Sequence, residues 1–132
     1  PLRLTAFTRT LEFLSDRGSR KGFGYSVSLP LLWLGLYFGL AIHLRLGLGH
    51  WPTSIGQNPG TQLFSIHQKV TWELMVFISK SVFPISAFGL ICAFFRNRRH
   101  YSLYALSYCI AALVAYLLMN LAPASFVYWW WD

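Results

Sequence analysis

One charged residue lies inside a long apolar segment, and it is the first candidate for chemistry. Lys80 lies about ten residues into the apolar segment 70–95, roughly 15 Å along a helix and close to the bilayer centre. A charge at that depth costs about 2.5–3.5 kcal/mol. Glu73 shares its helix face but lies two turns earlier, which is too far for easy contact. Three interpretations stay open: Lys80 snorkels outward or contacts backbone carbonyls, pairs with an acidic group or lipid phosphate of a partner, or belongs to an ion or proton path.

A histidine near the end of another apolar segment could ligate a cofactor. Gly35, Gly39 and His43 recur every four residues in segment 25–44 and therefore share one helix face. A glycine one turn before a histidine leaves space for a flat macrocycle, whose magnesium or iron an imidazole can ligate. The Gly39-x-x-x-His43 spacing resembles the small-x-x-x-His pattern of light-harvesting polypeptides, which implies bacteriochlorophyll or haem as the candidate cofactor. The alternative is a helix-packing face that ends in an interfacial histidine.

The remaining histidines do not complete a metal or haem site in the sequence. We place His50 and His67 in the connector 45–69 and His100 on the opposite side of the membrane, so no second histidine is expected at the depth of His43. The sequence has no metal-ligand spacing, no nucleophile motif and no glycine-rich phosphate loop. We therefore expect no enzyme activity and no resident metal ion.

Small residues mark the helix faces that we expect to pack closely against other helices. Gly35-x-x-x-Gly39 is a close-packing pattern of membrane helices, and three small residues recur every fourth position in segment 101–119. The residues predicted to contact partner subunits are Lys80, Gly35, Gly39, Ser107, Ala111 and Ala115.

The composition indicates what kind of structure must position these residues. Of the 132 residues, 55% are hydrophobic and 11% are charged, whereas an ordinary soluble domain has about 25% charged residues. A soluble chain with so little polar surface could not cover its core. The sequence therefore predicts one all-α integral membrane domain with three transmembrane helices. These are segments 25–44, 70–95 and 101–119, each long enough to cross a hydrocarbon layer of about 30 Å.

The segments outside the predicted spans have patterns of their own. Residues 1–21 carry apolar residues at spacings of three and four, which predicts an amphipathic helix on the membrane surface that ends near Gly18. The connector 45–69 is rich in glycine, proline and asparagine turn signals, and residues 120–132 form an aromatic tail. The predicted anchors at the headgroup level are Trp51, Trp129, Trp130 and Trp131.

The distribution of basic residues predicts the orientation of the chain. Five of the eleven Lys and Arg residues lie in residues 1–21 and three in the turn 96–99, both beside apolar segments. This pattern is typical of cytoplasmic membrane flanks and not of a nucleic-acid-binding face, despite the net charge of +7. We predict a cytoplasmic N-terminus, with the connector and the C-terminus external or periplasmic.

The layout of the chain resembles that of small bacterial inner-membrane proteins. The residues that carry this resemblance are Gly49-His50-Trp51-Pro52-Thr53, Asn58-Pro59, two further spans and the terminal run Phe126-Val127-Tyr128-Trp129-Trp130-Trp131-Asp132. We hypothesise a non-catalytic accessory or scaffolding subunit of a respiratory or photosynthetic membrane complex, with other membrane subunits as partners and with bound lipids. The alternatives are a tetrapyrrole-binding subunit that uses His43 and a small transporter.

Overall fold

The structure is a computed structural model that describes residues 16–132, and this part of the chain is helical without strands. The long helices are α1 (Arg17–Leu48), α2 (Gln62–Phe94) and α3 (Arg99–Leu118), and a short helix α4 (Ala124–Trp131) follows. Single 3-10 turns at Arg96–Arg98 and Met119–Leu121 connect them. Three helices are long and apolar enough to cross a membrane, which confirms the predicted all-α class and the predicted number of helices that could span a membrane.

The first helix begins before the predicted span. The side chain of Asp16 accepts hydrogen bonds from the backbone N–H groups of Gly18 at 2.9 Å and Ser19 at 3.2 Å, so it caps the helix that starts at Arg17. The predicted end of a surface helix near Gly18 is therefore wrong, since the helix continues through that residue. A separate N-terminal amphipathic helix has no support, and residues 1–15 of that prediction lie outside the described residues.

The second helix also begins earlier than the apolar pattern predicts. The hydroxyl of Thr61 accepts a hydrogen bond from the backbone N–H of Phe64 at 3.3 Å and starts α2 eight residues before position 70. Gly49 ends α1 with a φ of 76°, a left-handed conformation that glycine adopts without strain. The connector between the helices is therefore residues 49–61, and residues 62–69 belong to α2.

All three long helices contact one another, and α4 closes one end of the bundle. We call this the connector end: the last part of α1, residues 49–61, the start of α2, and α4. The indole N–H of Trp129 donates to the backbone carbonyl of Gln57 at 2.7 Å. The Tyr37 ring lies 5.1 Å from that of Phe126 and 5.5 Å from that of Trp130. The aromatic tail is thus a packed helix that covers the core.

As a result of this packing, the four tryptophans that were predicted to anchor the chain at the headgroup level differ in their exposure. Trp129 and Trp130 are buried inside the protein, Trp51 is partly buried, and Trp131 is exposed. Trp131 is therefore the member of the set with the most surface available for lipid.

The opposite end contains the start of α1, the end of α2, the turn 95–99 and the start of α3, and we call it the arginine-turn end. Here α2 and α3 approach closely, since a Cβ added to Gly89 would lie 2.7 Å from the Cβ of Ala105. The contact between α2 and α3 continues through polar pairs. Ser81 contacts Tyr108 through their hydroxyl groups, and the hydroxyl of Ser86 lies 3.2 Å from the sulfur of Cys109.

Candidate functional site

Two histidines from different helices meet at the connector end. His43 lies five residues before the end of α1, and His67 lies five residues after the start of α2. Their Nδ1 atoms are 3.2 Å apart, and both side chains are partly buried. The rings of His43 and Phe64 also form a T-shaped contact, with 5.2 Å between the ring centres. The two imidazoles therefore join α1 to α2 directly.

The hydrogen bonds of the pair fix which nitrogens carry protons when both rings are neutral. The Nε2 atom of His67 lies 3.1 Å from the backbone carbonyl oxygen of Leu36, and a carbonyl can only accept. His67 therefore carries its proton on Nε2, and its Nδ1 is an acceptor. The Nδ1–H of His43 donates to that acceptor, which leaves Nε2 of His43 unprotonated.

The imidazole of His67 occupies the space beside Gly39 in which the sequence pattern places a candidate macrocycle. A Cβ added to Gly39 would lie 3.5 Å from Cε1 of His67, so this ring lies against the glycine face of α1. Two imidazoles on opposite sides of a haem iron keep their nitrogens about 4 Å apart, since each metal–nitrogen bond is about 2 Å. The observed 3.2 Å between the Nδ1 atoms fits a direct contact and leaves no room for a macrocycle between the rings.

The expectation that no second histidine lies at the depth of His43 is wrong. It rested on placing His67 in the connector, whereas α2 begins at Gln62 and includes it. The signal in the sequence was Thr61 followed by Leu63 and Phe64, a capping residue in front of apolar residues.

Lys80 lies near the middle of α2 and is exposed. No hydrogen bond or ion pair of its ammonium group is formed with any part of the chain that the structure describes. Glu73 is exposed on the same face of α2, and the exposed ring of Phe77 lies between the two charged residues along the helix. We call Glu73, Phe77 and Lys80 the charged face of α2.

The small residues predicted as partner contacts fall in three places. Gly35 is exposed, and a Cβ there would meet no atom within 4 Å, whereas Gly39 faces His67. Ser107, Ala111 and Ala115 lie together along an open groove of about 430 Å³ between α1 and α3. The structure thus brings the three residues of α3 into one groove and separates the two glycines of α1.

Within residues 16–132, no group of three or more His, Cys, Asp or Glu side chains could hold a metal ion. Cys92 and Cys109 are free thiols. Comparison with protein-family models, with curated proteins and with solved structures gives no match to this chain.

Proposed function

We propose that this chain is a non-catalytic accessory subunit of a larger bacterial inner-membrane complex and that it acts by lateral helix packing. The observation that supports the proposal is the exposed ammonium group in the middle of α2. Lys80 follows Gln62 by 18 residues and precedes Phe94 by 14, so it lies about 27 Å and 21 Å from the two ends of the helix.

A charge in this position is expensive unless something outside the chain compensates it. The edge of the hydrocarbon core is roughly 15 Å from the bilayer centre, farther than the four-carbon stem of a lysine reaches. Glu73 is about 10 Å away along the helix axis, and it forms no ion pair with Lys80. A partner that supplies an acceptor at this depth would recover the cost of about 2.5–3.5 kcal/mol.

The charged face of α2 indicates the chemistry of that partner. A transmembrane helix with an Asp or Glu at the depth of Lys80 would neutralise the ammonium group, while Phe77 supplies apolar contact area beside it. Two copies of this chain in the same orientation would bring Lys80 against Lys80, which is repulsive. We therefore propose a different membrane protein as the partner on this face.

The orientation is part of the proposal. The ring of Phe23 near the start of α1 lies 5.1 Å from that of Tyr104 near the start of α3, so these helices begin at the same end. Basic residues from the start of α1, from the turn before α3 and from the start of α3 therefore collect at the arginine-turn end, which supports a cytoplasmic location for it. These residues are Arg20, Lys21, Arg98 and Arg99. The connector and α4 are then external.

Site-specific cross-linking in intact membranes tests the proposal. A photoreactive phenylalanine derivative replaces Phe77, and the same derivative at Leu113 on the exposed side of α3 serves as the control. We expect one discrete protein adduct from position 77 and none from position 113. The adduct should be lost in a Lys80→Met background and kept in Lys80→Arg, because arginine preserves the charge.

Two results would contradict the proposal. One is that position 77 forms only lipid adducts, with the chain migrating as a monomer in native electrophoresis after mild-detergent extraction. The other is that the adduct persists unchanged in Lys80→Met, which would mean that the charge has no part in recognition.

A further inference from the structure

We infer that His43 and His67 form a two-histidine binding site for a borderline transition-metal ion such as Zn²⁺ or Cu²⁺. The site joins the two helices at the connector end, away from the charged face of α2, and does not depend on the accessory role proposed above. Its two ligand atoms are the Nδ1 atoms, which lie 3.2 Å apart.

The distance between these nitrogens suits a shared metal ion. Two nitrogens bonded to a tetrahedral Zn²⁺ at about 2.0–2.1 Å lie about 3.3–3.4 Å from each other. The observed 3.2 Å therefore needs a shift of only a few tenths of an ångström. Each ring must also rotate by about 35°, because the hydrogen bond aims both nitrogens along the line between them and a tetrahedral ion lies to one side of that line. An ion could enter between them without separation of α1 from α2.

The second observation is the anchor behind His67. Metal-ligating imidazoles almost always donate their other N–H to a carboxylate, a backbone carbonyl or water, which fixes the tautomer and the ring orientation. His67 has this arrangement, because its Nε2–H donates to the carbonyl of Leu36 and leaves the Nδ1 lone pair aimed at His43. The ring is further held against the glycine face of α1, beside Gly39.

A tautomer change of His43 must accompany the ring rotation, because it frees the second ligand nitrogen. In the metal-free pair its proton is on Nδ1, and metal binding requires that proton on Nε2 instead. His43 is partly exposed, so water can accept a hydrogen bond from the new N–H. No proton is lost or gained overall, and the ion replaces the hydrogen bond between the rings.

The donor set determines which metals fit. Imidazole ligands suit Zn²⁺, Cu²⁺ and Ni²⁺, whereas Mg²⁺ and Ca²⁺ require oxygen ligands. Within the described residues no third His, Cys, Asp or Glu joins the pair, so water or an external molecule would fill the remaining positions. Such an open site binds an exchangeable ion more weakly than a closed structural site.

Zinc titration of the full chain tests the inference. The protein is purified in detergent through a histidine-free tag, stripped with a chelator and titrated with Zn²⁺ by calorimetry. The double variant His50→Ala, His100→Ala keeps only the pair, since the sequence has four histidines. We expect one Zn²⁺ per chain in this variant, and at least a tenfold loss of affinity in His43→Gln and in His67→Gln.

A second measurement separates ligand loss from misfolding. Zn²⁺ should raise the thermal stability of the wild type and of the His50, His100 double variant, because it cross-links two helices of the folded state. His43→Gln and His67→Gln should keep the helical circular dichroism spectrum and lose this rise. Zn²⁺ binding of equal strength in either glutamine variant, or no saturable binding to the double variant, would overturn the inference.

Discussion

The two ends of the bundle are built by different means. At the connector end, large side chains such as Tyr37, Phe64 and Phe126 are almost completely buried, and α4 covers them. At the arginine-turn end the buried positions of α2 are the small residues Gly89 and Cys92. Large aromatic side chains at this end, among them Phe94, point away from the protein.

This contrast shows which end of the bundle is closed by packing within the chain. Aromatic packing and the Trp129–Gln57 hydrogen bond close the connector end without outside help. The arginine-turn half of α2 relies on a close backbone approach to α3 and leaves its outer surface to lipid or to another protein. The charged face of α2 lies between these halves, in the middle of the helix.

The largest loss of stability is expected when an aromatic ring is removed from the core at the connector end. Phe126→Ala removes a ring with no exposed surface and should lower the free energy of unfolding by about 3 kcal/mol. Phe94→Ala is the matched control, since that ring is 86% exposed and its loss should cost less than about 0.5 kcal/mol. Reversible unfolding in mixed detergent micelles measures both. Equal costs would mean that the two ends do not differ as described.

A smaller effect is expected from blocking the close approach of α2 and α3. Gly89→Ala places a methyl group 2.7 Å from the Cβ of Ala105 and should destabilise the protein by about 1–3 kcal/mol. Gly35→Ala adds the same group where no atom lies within 4 Å, so its effect should be neutral or slightly stabilising.

The double variant Gly89→Ala, Ala105→Gly identifies the cause of that cost. It removes the clash and should recover part of the loss, because the two sites are in direct contact. If Ala105→Gly recovers none of the lost stability, the clash between α2 and α3 is not the cause of the cost of Gly89→Ala.

The hydrophobic pattern predicts the three spans because lipid requires long apolar helices whose backbone groups are satisfied internally. It places the start of α2 wrongly because residues 62–69 are polar enough to resemble a loop, and only the Thr61 cap marks the helix. The error moved His67 into the connector and hid the histidine pair. Recognition of Thr61 as the N-cap of α2 would therefore have placed His67 in the helix and revealed the histidine pair.

The tail shows a second limit of sequence analysis. Aromatic residues at the end of a membrane chain fit lipid headgroups and a protein core equally well by composition. What separates these outcomes is tertiary contact: the carbonyl of Gln57, 72 positions before Trp129, accepts the indole N–H. No periodicity in residues 120–132 encodes that contact.

The smallest change in stability is expected from removing a single hydroxyl group that joins α2 to α3 near the middle of the bundle. The hydroxyl of Ser81 donates to the carbonyl of Ile78 at 2.9 Å and also contacts the hydroxyl of Tyr108. A single hydroxyl proton cannot serve both bonds, so Tyr108 donates to Ser81. The Tyr108 side chain is buried, and within residues 16–132 its hydroxyl has no other hydrogen-bond partner.

The two single variants of this pair should therefore differ in cost. Tyr108→Phe removes the donor and leaves Ser81 bonded to Ile78, so the loss should be about 0.6 kcal/mol. Ser81→Ala leaves the Tyr108 hydroxyl buried without an acceptor and should cost about 1–2 kcal/mol. Ser28→Ala removes an exposed hydroxyl bonded only to Tyr25 of its own helix and serves as the control. If Tyr108→Phe proved the more costly change in the same unfolding assay, the direction of this hydrogen bond would be reversed.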